Sequence, residues 1–493
     1  MKRTNLVIFA LCIFTLLIAP TAFGQQINLV SVNNTGLGGG NDTSLSPSIS
    51  ADGRYVAFGS RATNLVPNDN NGKYDGFVRD TVAGTTILLN TSSAGEVGNN
   101  DSGGAVLSAN GQLVAFMSKA SNIVSNDNNN YQDVFVKNLV TGATSLVSFN
   151  SGGTGSANSA SSNPQISADG RYVAFMSIAS DIVPNDTNGY AADIFVRDMQ
   201  AGTTQLVSAN AYGGSGNRDT FRFILSANGR HVAFDSNASD LVVRDTNNLQ
   251  DVFVRDLDAG TTSMVSVNRL GTRSGNGSSV FSSISGDGRY LLFISTANNL
   301  TGNDVNLVGD LFVRDTLTRT TTLLSVNRDG LSHSGVNGIL WATISQNGSK
   351  ALFAAWDSDM VEADENFRLD YFVRDLSAGT TQILSSKNIR RTGTSLDEFT
   401  YFTAPGISAD GRYVMFCINR HDVTARKNVY VRDLMTDSLT WVNPTTDYWG
   451  AERPVMSSDG QSIAFESFSS NLVPSGTTNY GNVFVFRENS LMK

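Results

Sequence analysis

The chain has 493 residues and a formal net charge of −9, with 16% charged residues, 46 glycines and two cysteines. An acidic chain is a poor partner for nucleic acid and for anionic membranes, so we expect neither to bind. Cys12 lies in an N-terminal apolar stretch, and Cys417 is the other cysteine. We therefore expect no disulfide within the mature chain, and we expect Cys417 to behave as a small buried residue of a strand.

Residues 1–24 have the organisation of a secretory signal peptide. Lys2 and Arg3 precede an apolar run, and Ala22-Phe23-Gly24 supplies a small-residue end. This order predicts cleavage before Gln25, and the apolar run is too short to span a membrane. Cleavage would leave residues 25–493 with a net charge of −11. We expect a mature protein that is periplasmic or extracellular, does not span a membrane and is a monomer.

The rest of the chain repeats itself. An Asp-Gly or Asn-Gly pair followed by a short apolar run recurs at intervals of 49 to 63 residues. The first residues of these pairs are Asp52, Asn110, Asp169, Asn228, Asp287, Asn347, Asp410 and Asp459. Recurrence at such a period indicates a repeat architecture, in which each unit is one supersecondary element.

Each unit contains four short runs rich in Val, Ile, Phe and Thr, which predict β-strands. In the third unit we name them strands a to d: Pro164–Ser167, Tyr172–Ser177, Asp193–Asp198 and Thr204–Ser208. The a–b link contains Asp169-Gly170, and such a pair between apolar runs is a strong hairpin signal. Four antiparallel strands repeated eight times predict an all-β chain, a single eight-bladed β-propeller over residues 25–493.

The repeated pattern SADGRYVAF…DIFVRD…GTTQLVS resembles the repeat of the TolB-like β-propeller family, which is WD-repeat-like. The resemblance extends over essentially the whole chain after the signal peptide. It implies the fold but no activity, because propellers carry unrelated functions. No stretch of the sequence predicts the α/β domain that TolB carries before its propeller, so TolB's partner role is not transferred.

The two ends of the chain predict how the ring closes. Ile27–Asn33 reads as a strand d with no a, b or c before it, and the chain ends after a strand c at Asn482–Arg487. We expect Ile27–Asn33 to complete the last blade as its outer strand, which leaves no open blade edge. Antiparallel topology then places the long b–c loops and d–a crossings on one face. Because binding residues usually lie on loops held by a rigid scaffold, we expect function on this long-loop face.

The b–c loops of six blades share the pattern Asp-x-Asn followed by a further Asp. The residues are Asp69, Asn71 and Asp75; Asp127, Asn129 and Asp133; Asp186, Asn188 and Asp193; Asp245, Asn247 and Asp251; Asp304, Asn306 and Asp310; and Asp364, Asn366 and Asp370. Clustered oxygen ligands suit Ca²⁺. Asp and Asn also cap turns without any metal. The sequence therefore requires no cofactor and leaves calcium open as one.

A second repeated feature is the Arg-Asp pair that ends most strands c. We expect the Asp, for example Asp80 or Asp198, to cap the c–d turn. We expect the neighbouring Arg to cover a groove between blades or to pair with a nearby acid.

Aromatic and charged residues concentrate in the loops of blades six to eight. The candidate ligand-binding residues there are Trp356, Arg390, Arg391, Asp397, Glu398, Tyr401, Tyr448 and Trp449. Aromatic rings beside Arg and carboxylates suit sugar rings or a peptide segment. Atypical terminal repeats would give the same composition without any ligand.

Sequence motifs of known catalytic sites are missing, and the histidines His231, His333 and His421 fall in different repeats. We assign no catalytic residue and expect a non-catalytic binding or scaffold propeller, with a protein or a polysaccharide as its partner. The first alternative is a carbohydrate-active enzyme, a polysaccharide lyase or glycosidase, with its site at blades six to eight. The second is a calcium-stabilised adhesin or surface component.

Overall fold

A computed structural model describes residues 26–335, 338–362, 364, 369–385, 405–420, 426–445, 449–474 and 480–488. The predicted signal peptide, residues 1–24, lies outside these ranges, and its cleavage before Gln25 stays a prediction. Within the described ranges, no helix is long and apolar enough to cross a membrane.

The described chain forms eight antiparallel sheets, each with four strands in the order a, b, c, d. Blades one to four consist of Ser44–Ile49, Tyr55–Ser60, Asp75–Asp80 and Thr85–Leu88; Ser102–Leu107, Leu113–Ser118, Asp133–Asn138 and Thr144–Leu146; Ser161–Ile166, Tyr172–Ser177, Asp193–Asp198 and Thr203–Leu206; and Thr220–Leu225, His231–Ser236, Asp251–Asp256 and Thr261–Met264. Blades five to eight consist of Ser279–Ile284, Tyr290–Ser295, Asp310–Asp315 and Thr320–Leu323; Ile339–Ile344, Lys350–Trp356, Leu369–Asp375 and Thr380–Ile383; Gly406–Ile407, Tyr413–Arg420, Arg426–Asp433 and Leu439–Trp441; and Glu452–Met456, Ser462–Ser467, Asn482–Arg487 and Gln26–Leu29. The prediction of an all-β, eight-bladed propeller is confirmed.

The ring closes through the first strand, as predicted. Gln26–Leu29 pairs antiparallel with Asn482–Arg487, and Ile27 lies opposite Phe486. The regular pairing is shorter than the predicted Ile27–Asn33, because the amides of Val30 and Ser31 both donate to the carbonyl of Val483 and the amide of Asn33 donates to the carbonyl of Gly38. Strand a of blade one contacts strand a of blades two and eight, so the a strands surround the centre of the ring.

The third blade shows where sequence and structure differ along a strand. Strands b and c have the predicted bounds, whereas strand a begins at Ser161 rather than Pro164. Its pairing with strand b shifts register between Ser162 and Gln165, and Asn163 has a φ of 52°. Pro164 cannot donate a ladder hydrogen bond, so it sits in this bulge.

The core lies between adjacent sheets. Phe175 and Phe195 stack across strands b and c of blade three with ring centroids 5.7 Å apart. Equivalent stacked pairs occur in other blades: Phe58–Phe77, Phe116–Phe135, Phe234–Phe253, Phe293–Phe312, Phe353–Phe372 and Phe465–Phe484. Cys417 is buried in the core of blade seven, as predicted.

The turn-capping prediction is also confirmed. Asp80 Oδ1 accepts hydrogen bonds from the amides of Val82 and Ala83 in the c–d turn, both at 3.0 Å. The same carboxylate is paired with Arg54 at 2.6 Å, a partner from the a–b turn that the sequence did not identify. The strand-c arginine covers an inter-blade groove in blade three, where Arg197 lies 4.8 Å from the ring centroid of Phe149 in blade two's outgoing crossing.

Candidate functional site

The long connections share one face of the ring. In blade one the b–c loop runs from Arg61 to Tyr74 and the d–a crossing from Leu89 to Asp101, whereas the c–d turn has only Thr81–Gly84. The same contrast recurs in blades two to five. This long-loop face therefore has the extra chain that the predicted binding surface requires.

In blades one to five, the Asn of the Asp-x-Asn motif ties the b–c loop to the next crossing. Asn71 Nδ2 donates to the carbonyl of Gly98 at 2.9 Å, and its Oδ1 accepts from the amide of Lys73 at 2.7 Å. The corresponding ties are Asn129 to Ala157, Asn188 to Gly216, Asn247 to Gly275 and Asn306 to His333. In blade one, both ends of this predicted ligand are thus engaged within the loop framework.

The two aspartates of the motif come together as a buried pair. Asp75, the first residue of strand c, is 0% exposed, and its Oδ1 accepts from Asn71 at 3.0 Å and from Asn90 at 2.5 Å. Asp75 Oδ2 and Asp69 Oδ1 are buried and have no hydrogen-bond donor among the described residues. Burial, and then the neighbouring charge of Asp75, raise the pKa of Asp69 to about 7.

Blade two repeats this arrangement. Asp133 is fully buried, Ser148 donates to its Oδ1 at 2.6 Å, and its Oδ2 has no donor among the described residues. Burial raises the pKa of Asp133 to about 7, and the charge of Asp127 adds to the shift.

Blades three and four carry the same fully buried strand-c carboxylate. Ser208 donates to Asp193 and Ser266 to Asp251, each at 2.5 Å, and the Oδ2 atoms again have no donor in the described chain. Burial raises the pKa of Asp193 to about 6 and that of Asp251 to about 7. No described Lys or Arg forms an ion pair with the aspartates of these loops in blades one to four.

Blade five differs because an imidazole stands beside the pair. His333 is 1% exposed, with Nδ1 2.5 Å from Asp357 and Nε2 3.4 Å from Asp310. Burial opposes its charge, but the hydrogen bond that His333 donates to Asp357 and the charge of Asp310 raise the pKa of His333 overall. In blade six, Asp364 and Asp370 are buried, and Asn366 lies outside the described residues.

Blades seven and eight lack the motif and also lack the strand-c acid. Asn428 and Asn482 occupy the position that Asp75 holds in blade one, and both are buried. In blade eight, Ser31 donates to Asn482 Oδ1 at 2.9 Å. A carboxylate at the Asp75 position is thus present only in blades that also carry an aspartate in the loop, although blade seven has a loop aspartate, Asp422, without it.

The described residues bring no three His, Cys, Asp or Glu side chains together as a metal-binding group. A cation in these loops would accordingly take two carboxylates from the chain, with backbone or water oxygens completing its shell. This ligand set fits a hard, oxygen-preferring cation.

Exposed apolar side chains on the long-loop face form a second feature, which the sequence analysis missed. They are Leu37, Tyr131, Tyr190, Tyr212, Val243, Leu249, Leu270, Val305, Leu307 and Leu331. The only signal in the sequence was a large apolar residue inside an Asn/Asp/Gly-rich loop, which a core residue would also give. Leu270 is 74% and Leu307 80% exposed, so neither belongs to the core.

Exposed arginines accompany the apolar residues of blades four and five. Arg244, Arg269 and Arg273 form no ion pair with any described residue, although Arg244 donates to the carbonyl of Gly271 at 3.1 Å. A groove of about 1300 Å³ between these blades begins at Val243, Arg244 and Leu270. We call Val243, Arg244, Leu249, Arg269, Leu270, Arg273, Val305 and Leu307 the loop patch.

Most of the predicted aromatic patch falls outside the described residues: Arg390, Arg391, Asp397, Glu398, Tyr401 and Tyr448. Trp356 is half-buried against the core between blades six and seven. Trp449 is exposed and lies 5.3 Å from the ring of Phe468. A ligand site formed by these residues stays a prediction.

No protein-family model and no curated protein matches this chain. Among solved structures, it is similar to TolB from Acinetobacter baumannii at 15% identity and a TM-score of 0.34, over 79% of this chain and 80% of that chain. It is also similar to an oligogalacturonate lyase from Vibrio parahaemolyticus (10% identity, TM-score 0.46, 92% and 100% covered) and to the Dos1 propeller (13%, 0.45, 94% and 95%). Likenesses this distant transfer neither activity nor partner. The chain is an eight-bladed β-propeller on the evidence of its own strand pairing.

Proposed function

We propose that this chain is a secreted or periplasmic, non-catalytic binding propeller that presents its long-loop face to a partner. The loop patch of blades four and five is the observation that carries the proposal. Its loops stand on a rigid ring, and the Asn247 and Asn306 ties hold them to the neighbouring crossings. Exposed apolar residues grouped with unpaired arginines are typical of a protein interaction site.

The composition of the loop patch favours a protein over a polysaccharide. Its apolar members are Val and Leu, whereas a sugar ring is best matched by a flat aromatic side chain. Its three arginines stand out in a chain of net charge −9 and have no acidic partner in the described structure. Because Arg binds carboxylates through a planar fork of donors, a partner segment with acidic and apolar residues fits best.

The proposal is tested with paired variants on opposite faces of the ring. Leu270→Ser with Leu307→Ser alters the loop patch, and Val82→Ser with Val140→Ser is the matched control in exposed c–d turns. Binding of the mature protein to a panel of acidic and neutral peptides and polysaccharides is then measured. We expect an acidic, apolar peptide to bind, and the loop-patch variant to lose about tenfold in affinity, or about 1.4 kcal/mol.

Three outcomes would contradict this function. An equal loss of affinity in both variants would show that the long-loop face is not the binding surface. Binding confined to polysaccharide would replace the protein partner. New reducing ends or unsaturated products on the polysaccharide panel would show catalysis and favour a carbohydrate-active enzyme.

A further inference from the structure

We infer that the paired aspartates in the b–c loops of blades one to four each bind a Ca²⁺ ion. Every site joins a carboxylate of the loop to the carboxylate that begins strand c: Asp69 with Asp75, Asp127 with Asp133, Asp186 with Asp193, and Asp245 with Asp251. This inference concerns how the long-loop face is built, and it does not depend on the partner proposed above.

The first argument is that buried carboxylate oxygens have no hydrogen-bond donor among the described residues. Asp75, Asp133, Asp193 and Asp251 are all 0% exposed, and the Oδ2 atom of each has no donor among the described residues. In blades one and two the loop aspartate, Asp69 or Asp127, is also buried and also has an oxygen without a donor. Burying an ionised carboxylate without a counter-charge is costly, so buried charges are paired or coordinate metals.

Turn capping does not account for these oxygens. Asp69 accepts a backbone hydrogen bond from Asn71, as a turn cap does. The other capping and bridging roles of the motif are filled by Asn71, whose amide bonds to Gly98 and whose oxygen accepts from Lys73. Asp75 Oδ1 accepts from Asn71 and Asn90, and Asp75 Oδ2 has no donor among the described residues. Capping alone does not require a second buried carboxylate at this position.

Blades seven and eight provide the first internal comparison. Both carry a neutral amide at the strand-c position, Asn428 and Asn482. Blade eight has no acid in its b–c loop, whereas blade seven has Asp422 six residues before Asn428, outside the described residues. An amide is close to a carboxylate in shape but has no charge to neutralise. In blade eight the strand-c acid is therefore absent where the second carboxylate is absent, which matches a shared ion rather than a folding requirement of strand c.

Blade five provides the second comparison. There the chain itself places the buried imidazole of His333 3.4 Å from Asp310 and 2.5 Å from Asp357. In blades one to four, the residues that correspond to His333 are Gly98, Ala157, Gly216 and Gly275, which have no charge to offer. An imidazole that can carry a positive charge thus stands beside the strand-c acid in one blade, and in blades one to four we assign that role to a bound ion.

The ligand set points to Ca²⁺ held with modest affinity. All available donors are oxygens, and Ca²⁺ accepts six to eight oxygens in a flexible shell. Each site offers two carboxylates and leaves the rest of the shell to backbone carbonyls and water. Sites of low ligand count in extracellular modules have dissociation constants of about 10⁻⁴–10⁻³ M.

The test is Ca²⁺ binding to the mature chain, stripped with EDTA and dialysed, by equilibrium dialysis and calorimetry. We expect four or more Ca²⁺ per chain, one for each of blades one to four. Asp133→Asn and, separately, Asp127→Asn should each lower the count by one. Glu96→Gln, which removes one exposed charge from the same face, should leave the count unchanged.

Asn is the native residue at the equivalent position of two other blades, so Asp133→Asn should fold, and circular dichroism checks this. The absence of Ca²⁺ binding up to 10-fold above the expected dissociation constants would overturn the inference. A count that is unchanged in both folded Asp→Asn variants, or that falls equally in Glu96→Gln, would also overturn it.

Discussion

Asp75 and Asn428 occupy equivalent positions in blades one and seven, each five residues before the aspartate that ends strand c. Both side chains are 0% exposed, and each residue lies opposite a residue of strand b, Ser60 or Ile418. The fold therefore accepts either an acid or an amide at this point. In blade one the loop above supplies a second carboxylate, Asp69, which is buried, whereas Asp422, at the same spacing before Asn428, lies outside the described residues.

This relationship predicts opposite effects of Asp133→Asn with and without calcium. In EDTA, the variant should be more stable than the wild type by about 1–3 kcal/mol, because it removes a buried charge that lies near the charge of Asp127 and has no cationic partner among the described residues. In millimolar Ca²⁺, the order should reverse, because the variant has lost one of the ions. Urea unfolding under both conditions measures this. A variant that is less stable in EDTA as well would mean that the carboxylate stabilises the blade without any ion.

The Arg-Asp pairs on the opposite face predict a loss of stability in acid. Hydrogen bonds from Arg54 lower the pKa of Asp80 to about 2, and those from Arg289 lower the pKa of Asp315 to about 2. An unperturbed Asp titrates near pH ~3.9. Because the folded pKa lies below the unfolded one, these pairs stabilise the protein fully above about pH 4 and lose their contribution as the pH falls towards 2.

Asp80→Asn measures that contribution. We expect the variant to be less stable than the wild type at pH 7 and the difference to shrink at pH 3, in urea unfolding at both values. A difference that stays constant would show that Asp80 acts through the capping of Val82 and Ala83 alone.

The stacked phenylalanines predict a large packing penalty. Phe195 is 0% exposed and stacks on Phe175, so Phe195→Ala should lower the free energy of unfolding by about 3–5 kcal/mol. Tyr190→Ala is the control, since Tyr190 is 71% exposed on the b–c loop of the same blade, and it should change stability by less than about 0.5 kcal/mol. Equal effects would show that the blade core is not held by this pair.

The seam predicts that the first strand is essential for a closed ring. Deleting residues 26–29 removes strand d of blade eight and exposes Asn482–Arg487 as an open edge. Because unpaired edges recruit other chains, we expect a lower unfolding temperature and oligomers in light scattering after size exclusion. Removing only residues 1–25 should leave a stable monomer. A monomeric and equally stable deletion would contradict the role of this strand in closure.

The sequence predicted the strands because their turn signals are local, and it predicted the ring closure because the repeat unit is incomplete at each end of the chain. Asp169-Gly170 fixes the a–b turn, and a lone strand d at Ile27 needs a partner that only the other chain end can supply. The bulge at Asn163 and the Arg54–Asp80 pair were not predictable, since both depend on how neighbouring strands align in three dimensions.

The candidate site could be predicted only in part for a similar reason. The spacing of Asp69, Asn71 and Asp75 identified the loop. It could not show whether Asn71 holds the loop to the next crossing or binds a metal ion. That distinction depends on the carbonyl of Gly98, far along the chain. The exposure of Leu270 and Leu307 was equally hidden, because a leucine in a loop looks the same whether it packs inwards or faces solvent.

The most direct test of the ion-bound loops is thermal unfolding of the mature wild-type protein, first in EDTA and then in millimolar Ca²⁺. A ligand that binds only the folded state stabilises it by about 2.7 kcal/mol at a concentration 100 times its dissociation constant. With an ion in each of blades one to four, we predict a rise of several degrees or more, which Asp133→Asn reduces. An unfolding temperature that is the same in EDTA and in Ca²⁺ would contradict the account.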